Sequence, residues 1–211
     1  MFVLPRGRVR LRYETNGVDG FIKGIANLVN ARTRYFFYRL QTIPKHVDPV
    51  QVDAKLITKY RVERSASSRY RDKQAGVARV AYLRCDRDFI LLATSGKHLV
   101  FQEEPLRDCR RAPIKCFGYR IRHVNDKVEV SVEARTFKAL KASMVESVSP
   151  LPLEQAELYF RRFPYLPFYR VKRQQFGIWR AVNRERERLG LDPISHMALR
   201  LQHDGDKVFR E

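Results

Sequence analysis

From Pro164 to Gly190 the apolar positions recur with a helical period. Advancing about 100° per residue places Val171, Ile178, Val182 and Leu189 on one face, with Phe168 and Trp179 at its edge. Arg170, Arg173, Arg180, Arg184 and Arg188 fall on the opposite face. Pro164 and Pro167 precede the segment and Gly190 closes it, as the preferences of helix ends require. The expected helix buries one side and carries an arginine stripe on the other. Like charges at such spacings repel unless something anionic meets them, and Glu187 offsets only part of that repulsion.

Elsewhere the period changes. Arg8 to Tyr13 alternates strictly, which predicts a strand with Arg8, Arg10 and Arg12 on one face and Val9, Leu11 and Tyr13 on the other. Asn16-Gly17 reads as a turn, and Asp19 as the cap of a short helix through Phe21, Ile25 and Leu28. The aromatic run from Thr33 to Leu40 predicts a strand. Asp48-Pro49 opens a helix with Val52, Leu56, Ile57 and Tyr60 on its apolar face, and Gln51 is placed to close a capping box. After a break at Arg61–Arg64, Ser65 caps a second helix that ends at Gly76.

Strands are then expected at Val77–Arg84 and Phe89–Thr94 around an Asp86–Asp88 turn, and at His98–Gln102. Two more, Ile114–Val124 and Val128–Glu133, flank Asn125-Asp126-Lys127. Thr136–Val148 follows as a helix with Phe137, Leu140, Met144 and Val148 on one side, and Ser149-Pro-Leu-Pro152 breaks it. Leu153–Phe163 precedes the arginine helix, and the residues from Pro193 form a short strand or helix. The pattern predicts an α+β fold: a mostly antiparallel sheet flanked by helices, with a helical C-terminal third. We divide the chain into an α+β domain over 1–148 and a helical region over 149–211.

The segment Ala54-Lys-Leu-Ile-Thr-Lys-Tyr60-Arg-Val62-Glu-Arg64-Ser65-Ala-Ser67-Ser68-Arg69 resembles a helix-turn-helix motif. It has a small residue, an apolar face, a Tyr-x-Val turn and a Ser/Arg-rich second helix, although the turn lacks the usual glycine. The likeness spans residues 48–76 at most. It implies that the second helix enters the DNA major groove.

Charge sharpens the picture. The 211 residues carry a net +19 with a pI near 10.3, which points to a polyanionic partner. Residues 1–47 hold nine Lys/Arg against two Asp/Glu, 55–87 ten against three, and 158–190 nine against two, a net +7 in each segment. Aromatic residues accompany the charge: Tyr35, Phe37 and Tyr38, then Tyr165 and Tyr169, which suits stacking on exposed bases. No run of about eighteen apolar residues exists to span a membrane. Three cysteines, few and odd in number, argue against a disulfide framework, and a reducing cytoplasmic setting is expected.

Catalytic signals are weaker. Cys109, Cys116 and His123 recur every seven residues with Cys85 upstream, which is not a compact zinc spacing. Asp86 with Asp88, Glu103 with Glu104 and Asp108, and Asp204 with Asp206 are carboxylate groups that could hold Mg²⁺. His46 is a candidate general base, and Tyr35 and Tyr38 are candidate nucleophiles. Gly96-Lys97 lacks the upstream glycine of a phosphate-binding loop. No metal or cofactor is implied. The reading is a nucleic-acid-binding protein, DNA ahead of RNA, using Arg8, Arg10, Arg12, Arg64, Arg69, Arg71, Lys73, Arg170, Arg173, Arg180, Arg184 and Arg188. The alternatives are a nuclease or replication-initiator enzyme and an RNA-bound scaffold.

Overall fold

A computed structural model describes residues 13–30 and 32–199. The expected Arg8–Tyr13 strand, with Arg8, Arg10 and Arg12, and the Asp204–Asp206 pair lie outside the described residues. The order of elements is α1 (Gly17–Val29), β1 (Phe37–Thr42), α2 (Pro49–Lys59), α3 (Ala66–Gln74), β2 (Val80–Cys85), β3 (Asp88–Ala93), α4 (Val100–Glu103), β4 (Arg107–Asp108), β5 (Ile114–Cys116), β6 (Tyr119–Val124), β7 (Lys127–Val132), α5 (Ala134–Val148), α6 (Leu153–Arg161) and α7 (Tyr169–Arg188). A 3-10 turn at His196–Leu199 follows. The α+β class holds, with two antiparallel sheets and the helices α5 to α7 in the C-terminal part. No described helix is long and apolar enough to cross a membrane.

The chain forms two compact units. The first holds the described residues 13–28 and 33–107, and the second holds 29, 30, 32 and 108–199. The division at residue 148 read from the sequence therefore falls inside the second unit.

In the first unit the strands pair in the order β2-β3-β1. β3 is buried on both faces, which is why it reads as a continuous apolar run. Phe89, Leu91 and Ala93 share a core with Ile43, Tyr60, Val80, Tyr82 and Val100, against which Val52, Leu56 and Ile57 of α2 pack. Ile90 and Leu92 alternate to the other face and are fully buried.

α2 is also held by polar groups. Asp53 is completely buried; it accepts a hydrogen bond of 2.5 Å from Tyr82 Oη and bonds of 3.0 Å to each oxygen from Arg84 Nε. Arg84 Nη1 donates to the Asp86 carbonyl at 2.6 Å, and Nη2 lies 3.3 Å from Glu14.

In the second unit β5-β6-β7 form an antiparallel sheet, and α7 packs on β7 and α5. The Gln174 side chain bonds both backbone groups of Val132, at 2.8 Å and 3.0 Å, and so satisfies polar groups on an edge strand.

Several expectations shift. His98–Gln102 is not a strand. The Val100 N–H donates to His98 Nδ1 at 3.1 Å, and the chain turns into α4, which buries Val100. Ile114–Val124 is two strands, because Phe117 and Gly118 both take positive φ and close a two-residue hairpin between Cys116 and Tyr119. The strand expected at Thr33–Leu40 begins at Phe37. Thr33 Oγ1 donates to the Asn27 and Leu28 carbonyls and Tyr35 N–H to Leu28, so residues 33–35 close the end of α1. Asp19 lies inside the first turn of α1, which starts at Gly17.

Candidate functional site

Two basic helices, one in each unit, carry the described site residues other than Arg64, which precedes α3. In the first, α2 and α3 both form within the segment that resembles a helix-turn-helix. Asp48 caps α2 by accepting from Val50 N–H at 3.0 Å, and Ser65 caps α3 by accepting from Ser68 N–H at 3.2 Å. α3 closes with Gly76 at φ 65°: Gly76 N–H meets the Lys73 carbonyl and Val77 N–H the Asp72 carbonyl, the paired bonds of a Schellman ending.

α3 buries no residue at all. A helix polar on every side gains nothing from a core, so local bonds must hold it. The Ser65 cap is one. The other is Arg64, whose Nε and Nη2 grip Asp72 at 2.9 and 2.5 Å and hold its carboxyl below the usual range. Arg64 is thus half-buried and committed to Asp72, whereas Arg69, Arg71 and Lys73 are exposed and have no carboxylate partner among the described residues. Tyr70, 66% exposed, stands among them.

In the second unit α7 has the two faces its period predicts. Val171, Ile178 and Val182 are fully buried, and Arg170, Arg173, Arg180, Arg184 and Arg188 are exposed. Leu189 departs from the expectation: it is the C-cap and is 45% exposed. The stripe is partly matched. Arg170 Nε meets Glu129 at 2.8 Å and Arg188 Nη2 meets Glu185 at 2.5 Å. Arg173, Arg180 and Arg184 have no carboxylate partner among the described residues.

Aromatic rings interleave with these cations. Arg173 lies 6.0 Å from the Tyr169 ring centroid, Arg180 lies 4.5 Å from that of Phe176, and Phe176 stacks on Trp179 at 5.0 Å and 22°. Tyr169, Arg173, Phe176 and Arg180 follow one another three or four residues apart, so they form one ladder along the helix. Sequence reading singled out Tyr169 but missed Phe176, although that spacing carries it. It also left out Arg186, which is buried and donates to the Ser149, Leu151 and Asp192 carbonyls at 2.9, 2.7 and 2.6 Å. That arginine ties the end of α7 to the turns around it.

The candidate catalytic groups are mostly engaged. Glu103 pairs with Lys59 at 2.8 Å, Glu104 accepts from Tyr60 Oη at 2.7 Å and meets Arg39, and Asp108 pairs with Arg110 at 2.7 Å. Asp88 accepts from the Thr42 hydroxyl. Tyr35 and Tyr38 are buried, and His46 is exposed. Among the described residues no three His, Cys, Asp or Glu side chains converge as a ligand set for a metal ion. No disulfide joins the cysteines, and burial pushes the Cys109 thiol up to about 12. Compared with known proteins, the chain matches no family model, no curated protein and no solved structure.

Proposed function

We infer that the protein binds nucleic acid, with duplex DNA ahead of RNA. The observation that carries this reading is α3: a capped helix with no buried residue whose exposed cations Arg69, Arg71 and Lys73 lack carboxylate partners among the described residues. A helix that serves no core and gathers like charge is accounted for by an anionic partner. Arginine suits phosphate and guanine because its planar fork donates two hydrogen bonds. The ladder on α7 favours a second reading, unpaired bases of RNA or single-stranded DNA, because exposed rings flanked by guanidiniums suit stacking.

Titration of labelled duplex DNA, single-stranded DNA and RNA at several salt concentrations tests this. We expect log K to fall steeply and linearly with log salt, by about 0.9 per duplex phosphate neutralised. An affinity that ignores salt refutes the reading. Arg69→Ala with Arg71→Ala is expected to weaken a preferred duplex more than random duplex, since a base-edge contact discriminates by roughly 1–3 kcal/mol. Equal weakening on every sequence would leave α3 as a phosphate contact only.

A further inference from the structure

α2 and α3 both end in the Schellman arrangement, but they differ at the residue that must adopt positive φ. α3 uses Gly76, and α7 likewise closes with Gly190 at φ 71°, its N–H meeting the Glu187 carbonyl. α2 uses Arg61 at φ 49°: Arg61 N–H meets the Thr58 carbonyl at 3.2 Å and Val62 N–H the Ile57 carbonyl at 3.0 Å. A side chain in the left-handed region is strained, and glycine relieves that strain.

Arg61 lies on the wall of a cleft of about 730 Å³ within the first unit. This is within the roughly 300–1,000 Å³ of small-molecule sites and far too small for a duplex. Four arginines line it, Arg61, Arg64, Arg69 and Arg79, against two carboxylates, Glu63 and Asp72. Arg64 is committed to Asp72, and Glu63 accepts a hydrogen bond of 3.0 Å from Tyr13 Oη. Arg61, Arg69 and Arg79 have no carboxylate partner among the described residues, and the Arg79 guanidinium lies 5.8 Å from the Tyr35 ring centroid. The lining also includes the partly exposed Tyr13, Val62 and His98, while Tyr60 and Leu83 border it from the core. Burial first, then Arg61 and Arg64, hold His98 below its ordinary pKa.

We propose that this cleft binds a nucleoside phosphate, its phosphate held by Arg61, Arg69 and Arg79 and its base set against the aromatic and apolar lining. Guanidinium forks match phosphate oxygens, and rings in a concave wall offer a flat base a stacking surface. The chemistry is the same for a free mononucleotide and for an unstacked terminal nucleotide of a strand. In the second case the proposal rests on the nucleic-acid reading above; in the first it stands without it.

Calorimetric titration of the full chain with deoxynucleoside 5′-monophosphates, with a 5′-phosphorylated tetranucleotide, with inorganic phosphate and with unphosphorylated nucleoside separates the sources. We expect the monophosphate or the tetranucleotide to bind at least tenfold more tightly than phosphate or nucleoside alone. Tight binding confined to the tetranucleotide assigns the cleft to strand ends, and equal binding of the monophosphate assigns it to a free nucleotide. Arg61→Gly is expected to lower this affinity at least tenfold while the melting temperature stays level or rises, because glycine relieves the turn. Arg79→Met, which keeps the aliphatic stem, is the second probe and should lower it likewise. Inorganic phosphate binding as tightly as the nucleotides overturns the proposal, as does undiminished affinity in both variants. The salt-dependent duplex titration runs alongside. Duplex binding that fails while the mononucleotide binds removes the nucleic-acid reading alone, and the reverse outcome removes only the cleft.

Discussion

Asp53→Ala is expected to remove roughly 3–5 kcal/mol of folding stability, the usual cost of breaking a buried ion pair from one side. Asp53 is fully buried on α2 and is the acceptor for Tyr82 Oη and for Arg84 Nε. Without it the buried guanidinium keeps, among the described residues, the Asp86 carbonyl at 2.6 Å and Glu14 at 3.3 Å. A chain of this size shifts its melting temperature by about 2–4 °C per kcal/mol, so the change should lower it by about 6–20 °C. Thermal melts followed by circular dichroism measure this. Asp53→Leu combined with Tyr82→Phe and Arg84→Met should recover much of the loss, since an apolar replacement leaves no buried group unpaired. A melt for Asp53→Ala within two or three degrees of the parent would show that the network carries little stability.

The same network sets an alkaline limit. Burial first, then the hydrogen bond to Asp53, raise the Tyr82 pKa far above its ordinary 10.0. A raised folded value means that stability is whole below about 10 and falls as the unfolded tyrosine ionises above it.

Arg173, Arg180 and Arg184 replaced together by alanine should weaken nucleic-acid binding about a hundredfold at 0.15 M salt. Each neutralised duplex phosphate contributes about 0.9 to the slope of log K against log salt, which at that salt is roughly 0.7 in log K per contact. Three contacts give a little over two log units, and the slope becomes shallower by about three. The fold should be unaffected, because the three side chains are exposed, lack carboxylate partners among the described residues, and are exchanged for a good helix former. Val182→Asp, on the opposite face, should unfold the chain, since Val182 is fully buried and a carboxylate there loses its water. Normal affinity and slope in the triple variant would show that the stripe does not meet nucleic acid, and the cations of α3 would have to supply the binding.

Much of this was legible from local pattern. The two faces of α7, the caps Asp48 and Ser65, the glycine stops at Gly76 and Gly190 and the hairpins at Asp86-Arg87 and Asn125-Asp126 each depend on residues a few positions apart. Spacing along one strand or helix turn specifies them, so the class and most elements follow. Errors came where a side chain bonding backbone a few residues away outweighed propensity. His98 takes the Val100 amide and bends an apolar run into α4, and Thr33 spends its hydroxyl on the end of α1.

How much positive charge the chain carries, and which helix faces present it, follow from composition and period, because net charge is a sum and a helical face recurs about every 3.6 residues. Which of those charges are left to meet a partner depends on the folded packing. Arg64 is spent on Asp72, Arg170 on Glu129, Arg84 on Asp53 and Arg186 on three carbonyls, whereas Arg61, Arg69, Arg79, Arg173, Arg180 and Arg184 lack carboxylate partners among the described residues. An ion pair is settled by distances of a few ångströms between residues as far apart as 53 and 84 or 129 and 170. Those distances exist only once strands have paired and helices have packed, so no reading of composition or period could have sorted the committed arginines from the available ones.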